Sequence, residues 1–138
     1  MLAVIDTNVL VSGLRSALGA SNAVLQRAAL GDFSVAVSTA LCLEYDDVLN
    51  RPGLLPGSSP RTITSFLDSF CAVAREAFIY FRWRPFLPDA GDDLVFECAL
   101  AAGATHIVTH NVADFRGTEA FGISVVTPNQ FLAILTPP

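Results

Sequence analysis

Short apolar runs alternate along this chain with segments of helical spacing. Apolar residues dominate Leu2–Ile5, Ser34–Val37, 105–108 and 123–126, and runs of this length are typical of buried strands. Between the runs, apolar positions recur at intervals of three and four residues, as on one face of a helix. Strands that alternate with helices predict an α/β fold with a mostly parallel sheet of about four to five strands, covered on both faces.

Six helices are expected from this spacing and from the residues that begin and end helices. The first follows Asp6 and fades near Gly19, and Ser21 is expected to cap the second. The second helix is expected over 22–30, and the other four over Thr39–Leu49, 61–77, 92–102 and Pro128–Leu135. Residues 53–60 (GLLPGSSP) predict a loop, and the aromatic stretch 78–90 is interrupted by two prolines and predicts no element.

Length and composition bound the possible classes. A chain of 138 residues fits one domain over 1–138, and 52% of its residues are hydrophobic. No apolar run approaches the roughly 18 residues of a membrane-spanning helix, and no basic segment precedes the first apolar run as in a signal peptide. Three cysteines without a CxxC spacing predict buried thiols rather than a disulfide framework. We therefore expect a cytoplasmic protein that does not contact a membrane.

The charge balance excludes a simple DNA-binding module. The formal net charge is −5, whereas proteins that hold nucleic acid by their own charge are usually basic. A nuclease whose acids are neutralised by bound cations remains compatible with this charge. All eight basic residues are arginine, and the chain has no lysine.

Two acids stand just after predicted strands, where the working site of an open α/β sheet lies. Asp6 follows the first strand, and Asp114 follows the third strand after Thr109-His110-Asn111. Each also has a structural alternative: Asp6 is a good helix N-cap, and Asp114 suits a loop turn.

Further acids lie on or at the start of predicted helices. Glu44 shares a helix face with apolar neighbours, whereas Asp46 and Asp47 point elsewhere and are expected to be solvated. An acid on an apolar face is costly unless it meets a cation or a donor, although Glu44 at the edge of that face would reach solvent.

Asp92 and Asp93 begin a helix that is otherwise apolar, and acids also favour the first turn of a helix for electrostatic reasons. Glu97 lies one turn after Asp93 on the same face. Two like charges at this spacing repel each other, so they need a cation, an arginine or exposure to solvent.

Together these positions bring carboxylates from several elements towards one edge of a sheet. Carboxylate oxygens are the ligands that Mg²⁺ and Mn²⁺ prefer. Two such ions about 4 Å apart activate a water and stabilise the leaving oxygen in phosphodiester cleavage. The pattern therefore predicts metal-dependent phosphodiester chemistry.

The same residues resemble the PIN domain, and in particular the VapC-like toxins of toxin–antitoxin systems. The resemblance runs nearly from end to end and is weakest over residues 53–88. It rests on Asp6-Thr7-Asn8-Val9-Leu10, Glu44-Tyr45 with Val48-Leu49-Asn50-Arg51-Pro52, residues 89–102, Val108-Thr109-His110-Asn111 with Asp114-Phe115, and Val125-Val126-Thr127-Pro128 with Phe131-Leu132.

The resemblance implies a PIN-like α/β/α sandwich and a Mg²⁺- or Mn²⁺-dependent endoribonuclease. By position, its catalytic and metal-binding acids would be Asp6, Glu44, Asp92 and Asp114, and Asp93 is an alternative third ligand. The supporting polar positions would be Thr7, Asn8, Thr109 and Asn111. Related sequences often have aspartate where Asn111 stands. Proteins of this kind usually form homodimers or larger oligomers and are silenced by an antitoxin protein.

Arginines would contact the RNA substrate, because a guanidinium suits phosphate. The candidates that flank the expected cleft are Arg15, Arg51, Arg82, Arg84 and Arg116. Trp83 and Phe86 would stack a base or, alternatively, pack beneath a surface loop.

Other α/β enzymes fit less well. A response-regulator receiver needs a lysine after its last strand, and a P-loop enzyme needs the motif GxxxxGK[ST]. This chain has no lysine, so it meets neither requirement. A phosphatase of the haloacid dehalogenase type needs a second aspartate where Asn8 stands. No GxGxxG supports a dinucleotide site, and no nucleophile elbow supports a Ser/His/Asp hydrolase. The remaining alternative is a PIN-like module that binds RNA or protein without cleavage.

Overall fold

The computed structural model describes residues 1–80 and 86–136. The strands are β1 (Leu2–Ile5), β2 (Ser34–Val37), β3 (Arg75–Glu76), β4 (His106–Val108) and β5 (Ser124–Val126). The helices are α1 (Thr7–Arg15), α2 (Ala20–Ala29), α3 (Thr39–Leu49), α4 (Pro60–Ala72), α5 (Ala90–Ala102) and α6 (Pro128–Leu135). Two short 3₁₀ turns, Val112–Phe115 and Thr118–Phe121, lie between β4 and β5.

The five strands form one parallel sheet in the order β3-β2-β1-β4-β5. The first strand of the chain is therefore the central strand, and three of its four side chains have no exposure to solvent. Ile5 pairs with Val108 in register, and the Asp6 amide donates to the Val108 carbonyl at 2.9 Å. The ends of β1 and β4 consequently lie side by side. The sheet confirms the predicted PIN-like parallel α/β architecture.

The helices pack on the sheet and on one another through the core. α3 contacts α1, α4 and α5, whereas α2 contacts α1 and α6. Tyr45 in α3 is fully buried, and its hydroxyl donates to the Ile5 carbonyl. This bond fixes α3 relative to the last residue of β1. Among the described residues, no helix is both long and apolar enough to cross a membrane.

The predicted end of the fourth helix was wrong, because a strand follows it in place of its last residues. The helix predicted over 61–77 ends at Ala72, and Val73 is 77% exposed. The residues after it form β3, where Arg75 pairs with Ala36. Pairing with the β2 edge outweighs the helical spacing there, because it satisfies backbone groups that the helix end leaves free.

The first two helices also differ from the prediction. α1 ends at Arg15, before Gly19, and α2 begins at Ala20. Ser21 does not cap α2, since Gly19 is the N-cap residue. The Ser21 side chain is buried instead, and its oxygen lies 2.9 Å from His110 Nε2. This contact joins the start of α2 to the loop after β4.

Candidate active site

Asp6 lies at the carboxyl end of the central strand, directly before α1. Its side chain makes no helix-capping hydrogen bond to the first turn of α1, so the capping alternative does not account for it. The residue is 7% exposed. Burial raises the pKa of Asp6, while the hydrogen bond from the Thr109 hydroxyl and the neighbouring backbone amide of Thr7 oppose the rise. The negative charges of Asp89 and Asp114 raise that pKa further.

The Thr109 hydroxyl is the centre of a small network that joins β1 to β4. It donates to Asp6 Oδ2 at 2.7 Å and accepts from Asn8 Nδ2 at 3.3 Å. It also accepts from the Asn111 amide at 3.1 Å, and Asn8 Oδ1 accepts from the His110 amide at 3.3 Å. Thr109 has no exposure to solvent. Thr109 and Asn8 therefore lie where the predicted supporting residues should lie, and Asn111 contributes its backbone to the network.

Asp92, the predicted third acid, and Asp93, its predicted alternative, occupy different environments. Burial and the negative charges of Asp6, Asp89, Asp114 and Asp93, in that order, raise the pKa of Asp92 to about 7. Asp92 therefore faces the other acids.

Asp93 is 2% exposed, and its Oδ1 accepts from the Leu87 amide at 2.8 Å and from the Phe86 amide at 3.3 Å. Asp93 thus holds the segment before α5. Glu97, on the same face, is also 2% exposed, so solvent exposure does not relieve the repulsion between Asp93 and Glu97.

Glu44 lies close to the start of α5 and to Asp89, an acid that was not among the predicted site residues. A Cβ placed on Gly91 would lie 3.1 Å from Asp89 Oδ1 and 3.4 Å from Glu44 Oε1. Asp89 Oδ1 accepts from the Gly91 amide at 2.7 Å, so Asp89 caps α5. Glu44 is half-buried, while Asp46 and Asp47 are exposed as predicted.

Asp89 was missed because a capping aspartate has an ordinary structural role. Its position three residues before Asp92 was the available signal, since that spacing places both acids at the start of α5.

Asp114 completes the group from the other side of the sheet edge. It lies in the 3₁₀ turn Val112–Phe115, where its amide donates to the Asn111 carbonyl at 3.0 Å. Its side chain is exposed, and its charge raises the pKa of both Asp6 and Asp92. Asp6 after β1, Asp92 in α5 and Asp114 in the loop after β4 are therefore close enough for their charges to affect one another.

This group of acids suits a hard divalent cation. Within residues 1–80 and 86–136, the ion pairs are Arg27–Asp32 and Arg51–Asp47, and neither includes an acid of the group. In the same residues, no three Asp, Glu, His or Cys side chains already converge closely enough to hold an ion by themselves. Magnesium is commonly held by one or two carboxylates, with water and substrate phosphate at its remaining positions. Carboxylates that repel one another across a sheet edge fit that kind of site.

The predicted substrate arginines fall into separate places. Arg15 and Arg51 line one groove of about 520 Å³. Thr7 and Asn8 belong to the same groove, which therefore begins beside Asp6. Arg116 lines a different groove, against the outer strand β5.

Of the two aromatic residues proposed to stack a base, the structure describes Phe86. Phe86 stacks on Phe96 with ring centroids 4.8 Å apart and contacts Phe121 at 5.8 Å, which agrees with the packing alternative. Arg82, Trp83 and Arg84 lie outside the described residues.

Comparisons with known proteins identify the family and the fold of this chain. The family model of the PIN domain matches residues 3–113. The fold is similar to a chain in the crystal structure of VapBC2 from Rickettsia felis bound to a DNA fragment from their promoter. That comparison has a TM-score of 0.63 and 15% identity, and it covers 92% of this chain and 98% of that chain. The comparison with curated proteins found no match. Since the family model spans most of the chain, including Asp6, Glu44, Asp92 and Asp93, the chain belongs to the PIN-domain family.

Proposed function

We propose that this protein is a Mg²⁺- or Mn²⁺-dependent endoribonuclease and the toxin of a toxin–antitoxin pair. The observation that carries the proposal is the group of acids at the carboxyl edge of the sheet. Asp6 and Asp92 have raised pKa values because burial and the charges of neighbouring acids disfavour their ionised forms. Repulsion of this kind is unfavourable for folding alone, and it is typical of sites that a ligand completes.

In this proposal, Asp6, Glu44, Asp92 and Asp114 hold the metal. A divalent ion bound there would supply positive charge that favours ionisation of an attacking water and stabilises the leaving oxygen. Thr109 orients Asp6 through the bond at 2.7 Å, and Asn8 orients Thr109. Asp93 keeps α5 and the segment before it together, so that Asp92 is presented to the other acids. We therefore assign Asp93 a positioning role rather than that of a ligand.

The groove that begins at Thr7 and Asn8 is the proposed path of the RNA. Arg15 donates through Nε to the Leu54 carbonyl at 2.8 Å, which holds the guanidinium at the groove while its remaining N–H groups stay available. Arg51 pairs with Asp47 at 3.3 Å, and both side chains are more than half exposed. An exposed pair of this kind is weak, so phosphate can replace Asp47 as the partner of Arg51. Arg116 lines a different groove, so we do not assign it to the proposed path of the RNA.

An antitoxin protein and a second copy of the chain are the proposed protein partners, in the cytoplasm. Several large apolar side chains are well exposed, among them Leu18 at 98% and Tyr80 at 85%. Exposed apolar side chains of this size suit protein contacts. The similarity to VapBC2 from Rickettsia felis supports the antitoxin as a partner.

The proposal is tested by cleavage of a total RNA pool with added Mg²⁺ or Mn²⁺, against EDTA. Asp6→Asn should remove a ligand and abolish cleavage, whereas Asp46→Asn changes the same charge on an exposed face and should leave cleavage intact. Equal loss in the two variants would contradict the assignment of the site. Absence of cleavage together with absence of any metal-induced rise in Tm would favour a PIN-domain module that binds without cleaving.

A further inference from the structure

Two cysteines that have no part in the proposed site lie in direct contact. Cys42 in α3 and Cys71 in α4 have their Sγ atoms 3.0 Å apart. Both are half-buried, whereas Cys98 is fully buried. The sequence predicted three buried thiols, and that prediction was wrong for Cys42 and Cys71. Packing between helices, rather than a spacing motif, brings this pair together, so it could not be predicted from the sequence.

We propose that Cys42 and Cys71 form an oxidisable pair, which hydrogen peroxide converts into a disulfide between α3 and α4. One thiolate attacks peroxide, the O–O bond breaks, and a sulfenic acid and one water form after proton transfer. The second thiolate then attacks the sulfenic sulfur, the S–S bond forms, and a second water leaves. Two sulfur atoms lose two electrons in total, and peroxide gains them. No reactant beyond peroxide is needed.

The position of the pair gives the disulfide a defined consequence. It closes the segment between two residues that are 29 positions apart, which includes Arg51 and Leu54 of the groove wall. A cross-link across a loop of this length reduces the conformational entropy of the unfolded chain, and it therefore stabilises the fold. Oxidation thus ties α3, which carries Glu44, to α4 and restrains the segment between them. This inference does not depend on the proposed ribonuclease activity.

The experiment treats the purified, reduced full chain with hydrogen peroxide and maps its peptides by mass spectrometry. We expect a Cys42–Cys71 link within one chain and a rise of roughly 10 °C in Tm, which a thiol reductant reverses. Cys71→Ser should lose both changes, and Cys98→Ala should keep both. A link that joins two chains, a link that includes Cys98, or oxidation without any link would overturn the proposal. The wild-type map and its reversal decide the matter even if a variant fails to fold.

Discussion

The Thr109 hydroxyl donates to Asp6 Oδ2 at 2.7 Å, although 103 positions separate the two residues in sequence. The bond links the ends of neighbouring parallel strands, and it is fully buried. It stabilises the ionised form of Asp6, while burial and nearby acids favour the protonated form. A residue more than a hundred positions away in sequence therefore favours the ionised form that Asp6 needs in its proposed role as a metal ligand.

Thr109→Val should keep the shape of this position and remove the donor. A hydrogen bond to a charged group contributes about 1.5–3 kcal/mol, and the Asn8 amide and the Asn111 N–H would also lose an acceptor. We expect a lower free energy of unfolding and a decrease of about 10–100-fold in metal-dependent cleavage. Thr109→Ser is the matched control, since it keeps the hydroxyl. Equal defects in the two variants would show that packing, and not the hydrogen bond, matters there.

Asp92 and Asp93 should respond oppositely to removal of their charge. Asp92→Asn relieves repulsion among the acids, so the metal-free protein should be at least as stable as the wild type, with cleavage reduced by orders of magnitude. Asp93→Ala leaves the Phe86 and Leu87 amides without their acceptor and should cost about 3 kcal/mol of stability. Chemical denaturation and a metal titration of each variant separate the two roles. A destabilised Asp92→Asn together with a stable Asp93→Ala would reverse the assignment.

Without divalent cations, the protein should lose stability as pH rises from about 4 to 7. The pKa of Asp92 is raised from 3.8 to about 7, and that of Asp6 is raised as well. Between the unfolded and folded pKa values of Asp92, the folded chain binds more protons than the unfolded chain. The free energy of unfolding therefore falls as pH increases. The penalty is absent below the unfolded pKa and complete above the folded one. Tm measured in EDTA should show this slope, and saturating Mg²⁺ should reduce it.

Asp92→Asn serves as the control for that measurement, because it removes the carboxyl group whose pKa is raised to about 7. Its Tm in EDTA should change much less between about pH 4 and 7 than that of the wild type. A wild-type Tm that increases over this range would contradict the electrostatic account of the site.

Arg15 and Arg51 should determine affinity for RNA rather than the chemical step. Arg15→Gln and Arg51→Gln should each weaken binding of single-stranded RNA. For every phosphate that an arginine no longer neutralises, the slope of log affinity against log salt concentration should become shallower by roughly 0.7. Arg61→Gln removes the same charge at the exposed start of α4 and is the matched control.

The binding measurement uses the catalytically inactive Asp6→Asn protein as the background for each arginine variant. A salt series with single-stranded RNA gives both the affinity and its slope. An equal effect of Arg61→Gln would indicate general charge rather than a defined path for the RNA.

The sequence predicted the elements with clear periodicity and clear ends. β1, β2, α3 and α6 have the predicted bounds, because buried strands and capped helices are specified by neighbouring residues. β3 was not predicted, because a strand of two residues is too short to show an alternating pattern. Its pairing with β2 depends on the tertiary structure. The same limit applies to the site. Spacing selected the region of Asp92 and Asp93, but only the packing of the Phe86–Leu87 backbone against Asp93 separates their environments.

The central position of β1 has a consequence for synthesis of the protein on the ribosome. The strand made first has β2 on one side and must wait for β4, about a hundred residues later, on the other. Pairings between distant parts of a chain form late and slowly. A nascent chain that stops before β4 carries Asp6 and Glu44 without Thr109 or Asp114, and it lacks two of the five strands, β4 and β5. Premature termination therefore yields fragments that lack the assembled acid group, and only a nearly finished chain can acquire it.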